Sequence, residues 1–243
     1  MVFNHLRRRG RDSGVTARAR WAEQHFGYVF RNPDLLVKAL THRSANKGNN
    51  ERLEFLGDAF LNFSVAKRLY EFCPNDSEGD LSRLRAALVK GETLAEIGRD
   101  LGLEKHIILG EGEIRSGGSQ RNSILANTVE AIIGAVLMDG GMRAVNAVVT
   151  RLFAERIQQL PEPESLKDSK TRLQEWLQRQ GLPLPNYSVQ SAIGPSHQRT
   201  FTVACLVPER GVESVGVGTN RRRAEQKAAA EMFSKLTSDS EKQ

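Results

Sequence analysis

Apolar residues recur every three or four positions along most of the chain before residue 160, and this spacing predicts helices. The periodic segments are 34–41, 51–72, 81–89, 94–101, 123–138 and 142–157. Turn or cap residues separate them, for example Asn32-Pro33-Asp34 and Gly140-Gly141. We find no convincing alternation of apolar and polar residues that would favour a strand here. We therefore expect an all-α domain over residues 21–159.

The pattern changes after residues 160–168, where proline, serine and charged residues are concentrated as in a linker. Helical spacing over 170–180 precedes three alternating stretches, which are 187–192, 199–206 and 212–218. A last helical segment, 221–236, has a face of small residues that would pack closely on a sheet. These residues are Ala224, Ala228, Ala229 and Ala230. The order predicts an α+β (α-β-β-β-α) domain over 169–238, followed by a tail at 239–243.

Composition narrows the class of protein. The 243 residues are 39% hydrophobic and 26% charged, and the mean hydropathy is −0.44, which is typical of a folded chain that is neither disordered nor embedded in a membrane. The longest stretch nearly free of charge, 122–138, contains Glu130, so we expect no membrane span. Two distant cysteines and the absence of an apolar signal core favour a cytoplasmic location.

Positive charge is concentrated at the two ends of the chain, which carries a net charge of +6. Residues 1–20 hold six arginines and one aspartate, and we expect them to form a flexible basic extension. Three arginines, Arg221, Arg222 and Arg223, stand at the predicted start of the last helix. Such runs are often only solvated surface, but a basic α-β-β-β-α module favours binding to a polyanion.

Acidic residues stand out against two apolar helices. Glu51, Glu54 and Asp58 fall within an arc of about 60° on one helix. Glu130 is the only charged residue of 123–138, and Asn127 precedes it by one turn. Clustered carboxylates on apolar helices need a compensating cation, and oxygen ligands favour Mg²⁺ or Mn²⁺. The alternative is that Glu51 and Glu54 face water and Glu130 pairs with an arginine, such as Arg52 or Arg121. His42 is interpreted as a structural or capping residue rather than a ligand.

The segment Asn50 to Asp58, NERLEFLGD, resembles the signature of ribonuclease III, the double-stranded-RNA-specific endonuclease. Further similar segments are ALTHRSA (39–45), EGDLSRLRAALV (78–89), GEGEIRSGG (110–118) and SILANTVEAIIGAV (123–136). The resemblance continues through the second domain. It implies a helical nuclease domain that forms a homodimer, followed by a double-stranded-RNA-binding domain. It also implies Mg²⁺ as the cofactor, with Mn²⁺ able to substitute, and no organic cofactor.

The resemblance assigns metal binding to Glu54, Asp58, Asn127 and Glu130, with Asp58 and Glu130 catalytic and Glu51 supporting. Asn127 stands where the family has aspartate, so this site has one negative charge fewer. Three explanations stay open: a natural variant that still cleaves, a variant that has become a binding protein, or a deliberate substitution. The alternative function is therefore a double-stranded-RNA-binding protein with weakened catalysis.

The resemblance also predicts how RNA is held. Three residues of the first helix of the second domain, Thr171, Gln174 and Glu175, would meet one minor groove, and the loop Gly194, Pro195, Ser196 and His197 would enter the next. Arg221, Arg222 and Arg223 would contact the phosphates between these grooves. The implied reaction is hydrolysis that leaves 5′-phosphate and 3′-hydroxyl ends, in the processing of ribosomal and messenger RNA. DNA binding is less favoured, because this module suits A-form geometry.

Overall fold

The computed structural model describes residues 16–45, 48–195 and 198–240, of which 239 and 240 are described only in their backbone. The chain divides into two compact units, Met1–Pro163 and Glu164–Gln243. We refer to them as the helical unit and the mixed unit. Two residues of the predicted RNA-binding loop, Ser196 and His197, lie outside the described residues.

The helical unit confirms the prediction of an all-α domain. A first helix, α1, covers 16–26, so it includes the last five residues of the predicted basic extension, and 1–15 lie outside the described residues. The other helices are α2 (Pro33–Leu40), α3 (Glu51–Phe72), α4 (Glu78–Val89), α5 (Gly91–Asp100), α6 (Glu111–Arg115) and α7 (Asn122–Gln158). One feature lacks a sequence signal: Thr41 and Ile108 form an isolated parallel bridge.

Helix α7 is the centre of the helical unit. Its apolar side chains are buried along most of its length, for example Val129, Ile133 and Phe153. Gly141, with φ 74°, interrupts the helix. The interruption lies at the Gly140-Gly141 pair that separates the two helices predicted from the sequence. By length and composition alone this helix is apolar enough to cross a membrane, as core helices of many folds are.

The mixed unit has the predicted α-β-β-β-α order. Its elements are α8 (Ser169–Arg179), β1 (Asn186–Ile193), β2 (Thr200–Val207), β3 (Val212–Gly218) and α9 (Arg221–Ser240). The strands form an antiparallel sheet in the order β1-β2-β3. Helix α9 packs on this sheet so closely that a Cβ on Gly216 would lie 2.2 Å from the Ala224 carbonyl oxygen.

One expectation about that packing face is wrong. Ala224, Ala228 and Ala229 are fully buried, but Ala230 is exposed. Ala230 lies about 200° around the helix from Ala228, so it points away from the sheet.

The segment before α8 is held by polar contacts within the mixed unit. Lys167 Nζ lies 2.5 Å from a Glu164 carboxylate oxygen and 2.6 Å from a Glu175 oxygen. Asp168 caps α8, because its side chain accepts a hydrogen bond from the Thr171 amide at 3.1 Å. Residues 164–168 of the predicted linker are thus tied to α8.

Candidate active site

Two glycines set the distance between the helices that carry the acidic residues. A Cβ on Gly57 of α3 would lie 1.8 Å from the Glu130 carbonyl oxygen of α7, and a Cβ on Gly134 would lie 2.1 Å from the Leu53 carbonyl oxygen. Real Cβ atoms do not approach so closely, so any side chain at either position would push the helices apart. The backbones touch within one turn of all four predicted metal-binding positions.

This contact brings the predicted residues of the two helices into one region. The Asn127 side chain lies close enough to the Glu54 carboxylate, across the helix pair, to lower its pKa. Glu130 lies close enough to Asp58 and Glu54 for both to raise its pKa. Glu54, Asn127 and Glu130 are partly buried, whereas Asp58 is exposed.

Burial and like charge govern the protonation of this cluster. Burial, followed by repulsion from Asp58 and Glu54, raises the pKa of Glu130 to about 7 from its ordinary value of 4.5. Burial also raises the pKa of Glu54, and the neighbouring Asn127 side chain opposes that shift. Glu130 is therefore a half-buried carboxyl group that is still partly protonated at neutral pH, in a setting that favours a cation.

The alternative in which an arginine, such as Arg52 or Arg121, pairs with Glu130 is not supported. Arg121 Nη1 instead lies 2.7 Å from a Glu113 oxygen, and Arg52 is exposed. Within the described ranges, no lysine or arginine pairs with Glu130.

The described residues also contain no group of three His, Cys, Asp or Glu side chains placed closely enough to hold a metal ion as they stand. The donor set nevertheless fits a hard divalent cation, because it consists of carboxylate and amide oxygens around an uncompensated buried acid.

Two of the acidic residues have neighbours that sequence reasoning missed. The Asn62 side chain, one turn after Asp58, donates to an Asp58 carboxylate oxygen at 2.8 Å and so orients it. The predicted supporting residue, Glu51, is exposed and accepts from the Asn49 side chain at 3.0 Å. Its other carboxylate oxygen lies 3.7 Å from Arg43 Nη1, a weak surface ion pair. Asn62 could have been noticed from its i+4 spacing to Asp58.

A polar cavity of about 220 Å³ opens beside the cluster. Glu51, Glu54 and Asn127 line it together with His42, Arg43, Asn50, Ser123 and Ile124. Because segments from three parts of the chain meet there, no local sequence pattern indicated this cavity. His42 was interpreted as structural, and its ring does make a structural contact with Ser44, at 2.8 Å.

In the mixed unit, the three predicted arginines are exposed in the first turn of α9. Arg221 Nε lies 2.8 Å from Glu225, which also lies 2.7 Å from Lys170 Nζ. These two cations lower the pKa of Glu225, with Lys170 the stronger influence. Arg222, by contrast, makes no ion pair with any described residue. Three positive charges at the positive end of a helix dipole repel one another, which favours an anion such as a phosphate there.

The other predicted RNA-binding residues are placed as follows. Gln174 is exposed on α8, whereas Thr171 is partly buried and its hydroxyl lies 3.1 Å from Asp168. Glu175 is occupied by its ion pair with Lys167. Gly194, with φ 104°, and the exposed Pro195 begin the loop after β1.

Two family models match the chain. The model described as ribonuclease-III-like matches residues 32–157, and the double-stranded RNA binding motif matches residues 169–236. A curated relative named Ribonuclease 3, from Nitrosococcus oceani, is 50% identical and covers 88% of this chain and 93% of its own length. Another protein of that name, from Vibrio vulnificus, is also 50% identical and covers 88% and 95%.

Solved structures agree with these matches for the helical unit. A crystal structure of the nuclease domain of ribonuclease III from Campylobacter jejuni is 41% identical, with a TM-score of 0.56. It covers 58% of this chain and 97% of its own chain. A second structure of that domain, 43% identical with a TM-score of 0.54, is described as showing structural flexibility in a region involved in dimer formation and covers 56% and 95%.

Proposed function

The chain belongs to the ribonuclease III family, and on that premise we propose that Glu54, Asp58, Asn127 and Glu130 form its phosphodiesterase site. The chain is an endoribonuclease that acts on double-stranded RNA. The observation that supports the site assignment is the close backbone contact of α3 and α7 at Gly57 and Gly134, which lies within one helical turn of these four positions. The relatives named Ribonuclease 3 do not favour the alternative of a binding protein without catalysis.

The family depends on a divalent metal, and we propose Mg²⁺, with Mn²⁺ able to substitute. Glu54, Asp58 and Glu130 would hold it through carboxylate oxygens, and Asn127 through its amide oxygen. When bound, Mg²⁺ activates a water for attack and stabilises negative charge on the scissile phosphate. The chain's own residues supply placement: Asn62 orients Asp58, and the Asn127 side chain lies beside Glu54.

The protonation of Glu130 is linked to metal binding at this site. Its pKa is about 7 in the metal-free protein, so at neutral pH part of the population carries a proton there. A bound cation would favour the ionised carboxylate, and Glu130 would release that proton. The proposed products are a 5′-phosphate and a 3′-hydroxyl, in RNAs that include ribosomal and messenger precursors.

We also propose that the helical unit pairs with a second copy through the exposed aromatic face of α3. Phe55, Phe63 and Tyr70 are 79%, 56% and 73% exposed, and they fall within an arc of about 80°. Phe63 and Tyr70 also line a groove of about 360 Å³ against α4. Aromatic residues exposed in one contiguous patch are typical of an interface. Sedimentation of the whole protein should give a dimer, and a monomer for Phe63→Asp would identify this face.

Cleavage of a long RNA duplex tests the site assignment. The wild type should cut it only when Mg²⁺ or Mn²⁺ is present, and Glu130→Gln should lower the rate by about 100-fold or more, because a charged ligand is lost. Glu155→Gln removes an exposed carboxylate from the same helix and is the matched control. If Glu130→Gln cuts at the wild-type rate in saturating Mg²⁺, the assignment is wrong.

A further inference from the structure

We propose that the cavity beside the acidic residues binds a ribose hydroxyl of a nucleotide flanking the scissile bond, with Asn50 and His42 as its hydrogen-bond donors. This inference rests on the proposed function, because it places RNA next to Glu54 and Asn127. The cavity, lined by Asn50 and His42 as well as these two residues, is much larger than one water molecule.

Asn50 carries a buried donor that the free protein leaves unused. The residue is 2% exposed, and the nitrogen of its side-chain amide has no partner among the described residues. Its backbone is fully engaged: its N–H donates to the Thr41 carbonyl at 2.9 Å, and its carbonyl accepts from the amides of Leu53 and Glu54. A buried unpaired amide lowers the stability of a protein, so its presence on a cavity wall points to a ligand that pairs with it.

His42 presents a second donor whose tautomer is fixed by its neighbours. The backbone N–H of Ser44 donates to Nδ1 of His42 at 3.2 Å, so Nδ1 is an acceptor and the neutral ring carries its proton on Nε2. The Ser44 hydroxyl lies 2.8 Å from the same Nδ1 and accepts from the Gly110 N–H at 3.0 Å. The backbone of His42 is anchored as well, donating to the Ile108 carbonyl at 2.9 Å.

Burial, more than the charges around it, favours the neutral form of the His42 ring. Burial lowers the pKa of His42, and Arg43 and Arg121 lower it further, while Glu113 and Glu51 raise it. The ring therefore donates from Nε2 without any need for protonation.

The mixture of groups on the cavity wall selects a hydroxyl over a phosphate. Asn50, His42 and Arg43 can donate, whereas the ionised carboxylates of Glu51 and Glu54 accept. The two carboxylates outnumber the one cation, Arg43, which already lies 3.7 Å from Glu51, and so disfavour an anion. A ribose hydroxyl accepts one hydrogen bond and donates another. The 2′-hydroxyl is the group that distinguishes RNA from DNA at a given position. The cavity would therefore distinguish ribose from deoxyribose in a nucleotide that flanks the cleaved bond.

The variant Asn50→Leu distinguishes binding of the ribose hydroxyl from a structural role of Asn50. Leucine removes the amide at similar volume, so kcat/KM should fall roughly tenfold, the equivalent of one good hydrogen bond. The unfolding temperature of the free protein should not fall, because the amide nitrogen has no partner among the described residues and the side chain makes no capping hydrogen bond to α3. A wild-type kcat/KM, or a loss of activity matched by a loss of stability, would overturn the proposal.

His42 provides a second test that does not depend on the folding of Asn50→Leu. His42→Ala should lower kcat/KM roughly tenfold, and His42→Gln, whose amide nitrogen reaches the Nε2 position, should restore most of it. His25→Ala changes another partly buried histidine of the helical unit and is the control. Equal activity of the alanine and glutamine variants would contradict a donor role.

Substrates with a single 2′-deoxy nucleotide identify the sugar. One such change flanking the cleaved bond should lower wild-type kcat/KM roughly tenfold and should cause no further loss in Asn50→Leu. Losses that simply add, or a wild type insensitive at every flanking position, would overturn the ribose assignment. Failure of the wild type to cut any duplex with Mg²⁺ would instead refute the proposed function.

Discussion

Glu54 and Asp58 reach the candidate active site from α3, and Asn127 and Glu130 reach it from α7, whereas Arg221, Arg222 and Arg223 all stand in one turn of α9. The acidic residues depend on a backbone contact between two helices that leaves no room for a methyl group at Gly57 or Gly134. The arginines are exposed on a single element and depend on no such contact. We expect the first region to respond to changes of shape and the second to changes of charge.

Gly57→Ala should have the largest effect. Its new Cβ would lie 1.8 Å from the Glu130 carbonyl oxygen, so α3 and α7 must separate. We expect a loss of about 3 kcal/mol in the free energy of unfolding, measured by urea denaturation, together with loss of cleavage. Gly112→Ala is the control, since a Cβ there meets no atom within 4 Å. Wild-type stability of Gly57→Ala would show that the helices are not held at this distance.

The next largest effect is a change of the free energy of unfolding with pH in metal-free buffer. The raised pKa of Glu130, about 7, means that the folded protein keeps a proton that the unfolded chain has lost. The stability that this Glu130 proton contributes to the folded state is therefore complete below about pH 4.5 and is lost as the pH rises through about 7.

The variant Glu130→Gln should not show this loss of stability with rising pH. Its free energy of unfolding should exceed that of the wild type by about 1 to 2 kcal/mol at pH 8, a value that allows for solvent screening of a partly exposed group. The gain should shrink toward pH 5. Thermal unfolding in EDTA measures it, with Glu155→Gln as the control for removing one charge from α7. A difference that is constant with pH would contradict the burial of an uncompensated Glu130.

A smaller effect is expected at the arginines. Arg222→Ala should weaken duplex binding about tenfold and reduce the slope of log affinity against log salt by about 1, because one phosphate contact is lost. Arg221→Ala should cost less, because Glu225 already pairs with Arg221. Affinity measured at several salt concentrations tests this order, with Lys235→Ala at the other end of α9 as the control. Equal losses for Arg222→Ala and Lys235→Ala would show that RNA does not bind at the start of α9.

Asn127→Asp should have the smallest effect. The added charge should lower the Mg²⁺ concentration for half-maximal cleavage by about three- to tenfold, since charged ligands raise affinity for hard cations. Without metal, the variant should be less stable than the wild type, because a second carboxylate beside Glu54 introduces repulsion. A magnesium titration tests the first statement, and unchanged rates at every concentration would refute the charge-loss account.

Local patterns predicted most elements of the fold, because helix and strand periodicity and the turn residues are local properties. The strand predicted at 187–192 is Asn186–Ile193, and the helix predicted at 51–72 is Glu51–Phe72. The exposed Ala230 shows the limit of this reasoning, since composition indicated a face that helix geometry does not allow. The start of α1 at residue 16 also lay inside a segment interpreted by charge alone.

The site could be predicted only in part. Acidic residues on apolar helices are conspicuous, and the resemblance supplied the pairing of α3 with α7. The fit of Gly57 against Glu130 joins residues far apart in the chain. The unpaired amide nitrogen of Asn50 and the contact of the Ser44 N–H with the His42 ring depend on local three-dimensional geometry that periodicity does not show. The bridge between Thr41 and Ile108 that supports His42 joins positions whose sequence contains no strand pattern.

The central claim is that acidic side chains from α3 and α7 hold a divalent cation at the scissile phosphate. A crystal of the protein grown with Mn²⁺ and measured at the manganese absorption edge tests it most directly. We predict an anomalous peak with carboxylate oxygens of Glu54, Asp58 and Glu130 as ligands, about 2.0 to 2.3 Å away. A map with no peak among these three side chains, or with the carboxylates turned away from it, would contradict the account.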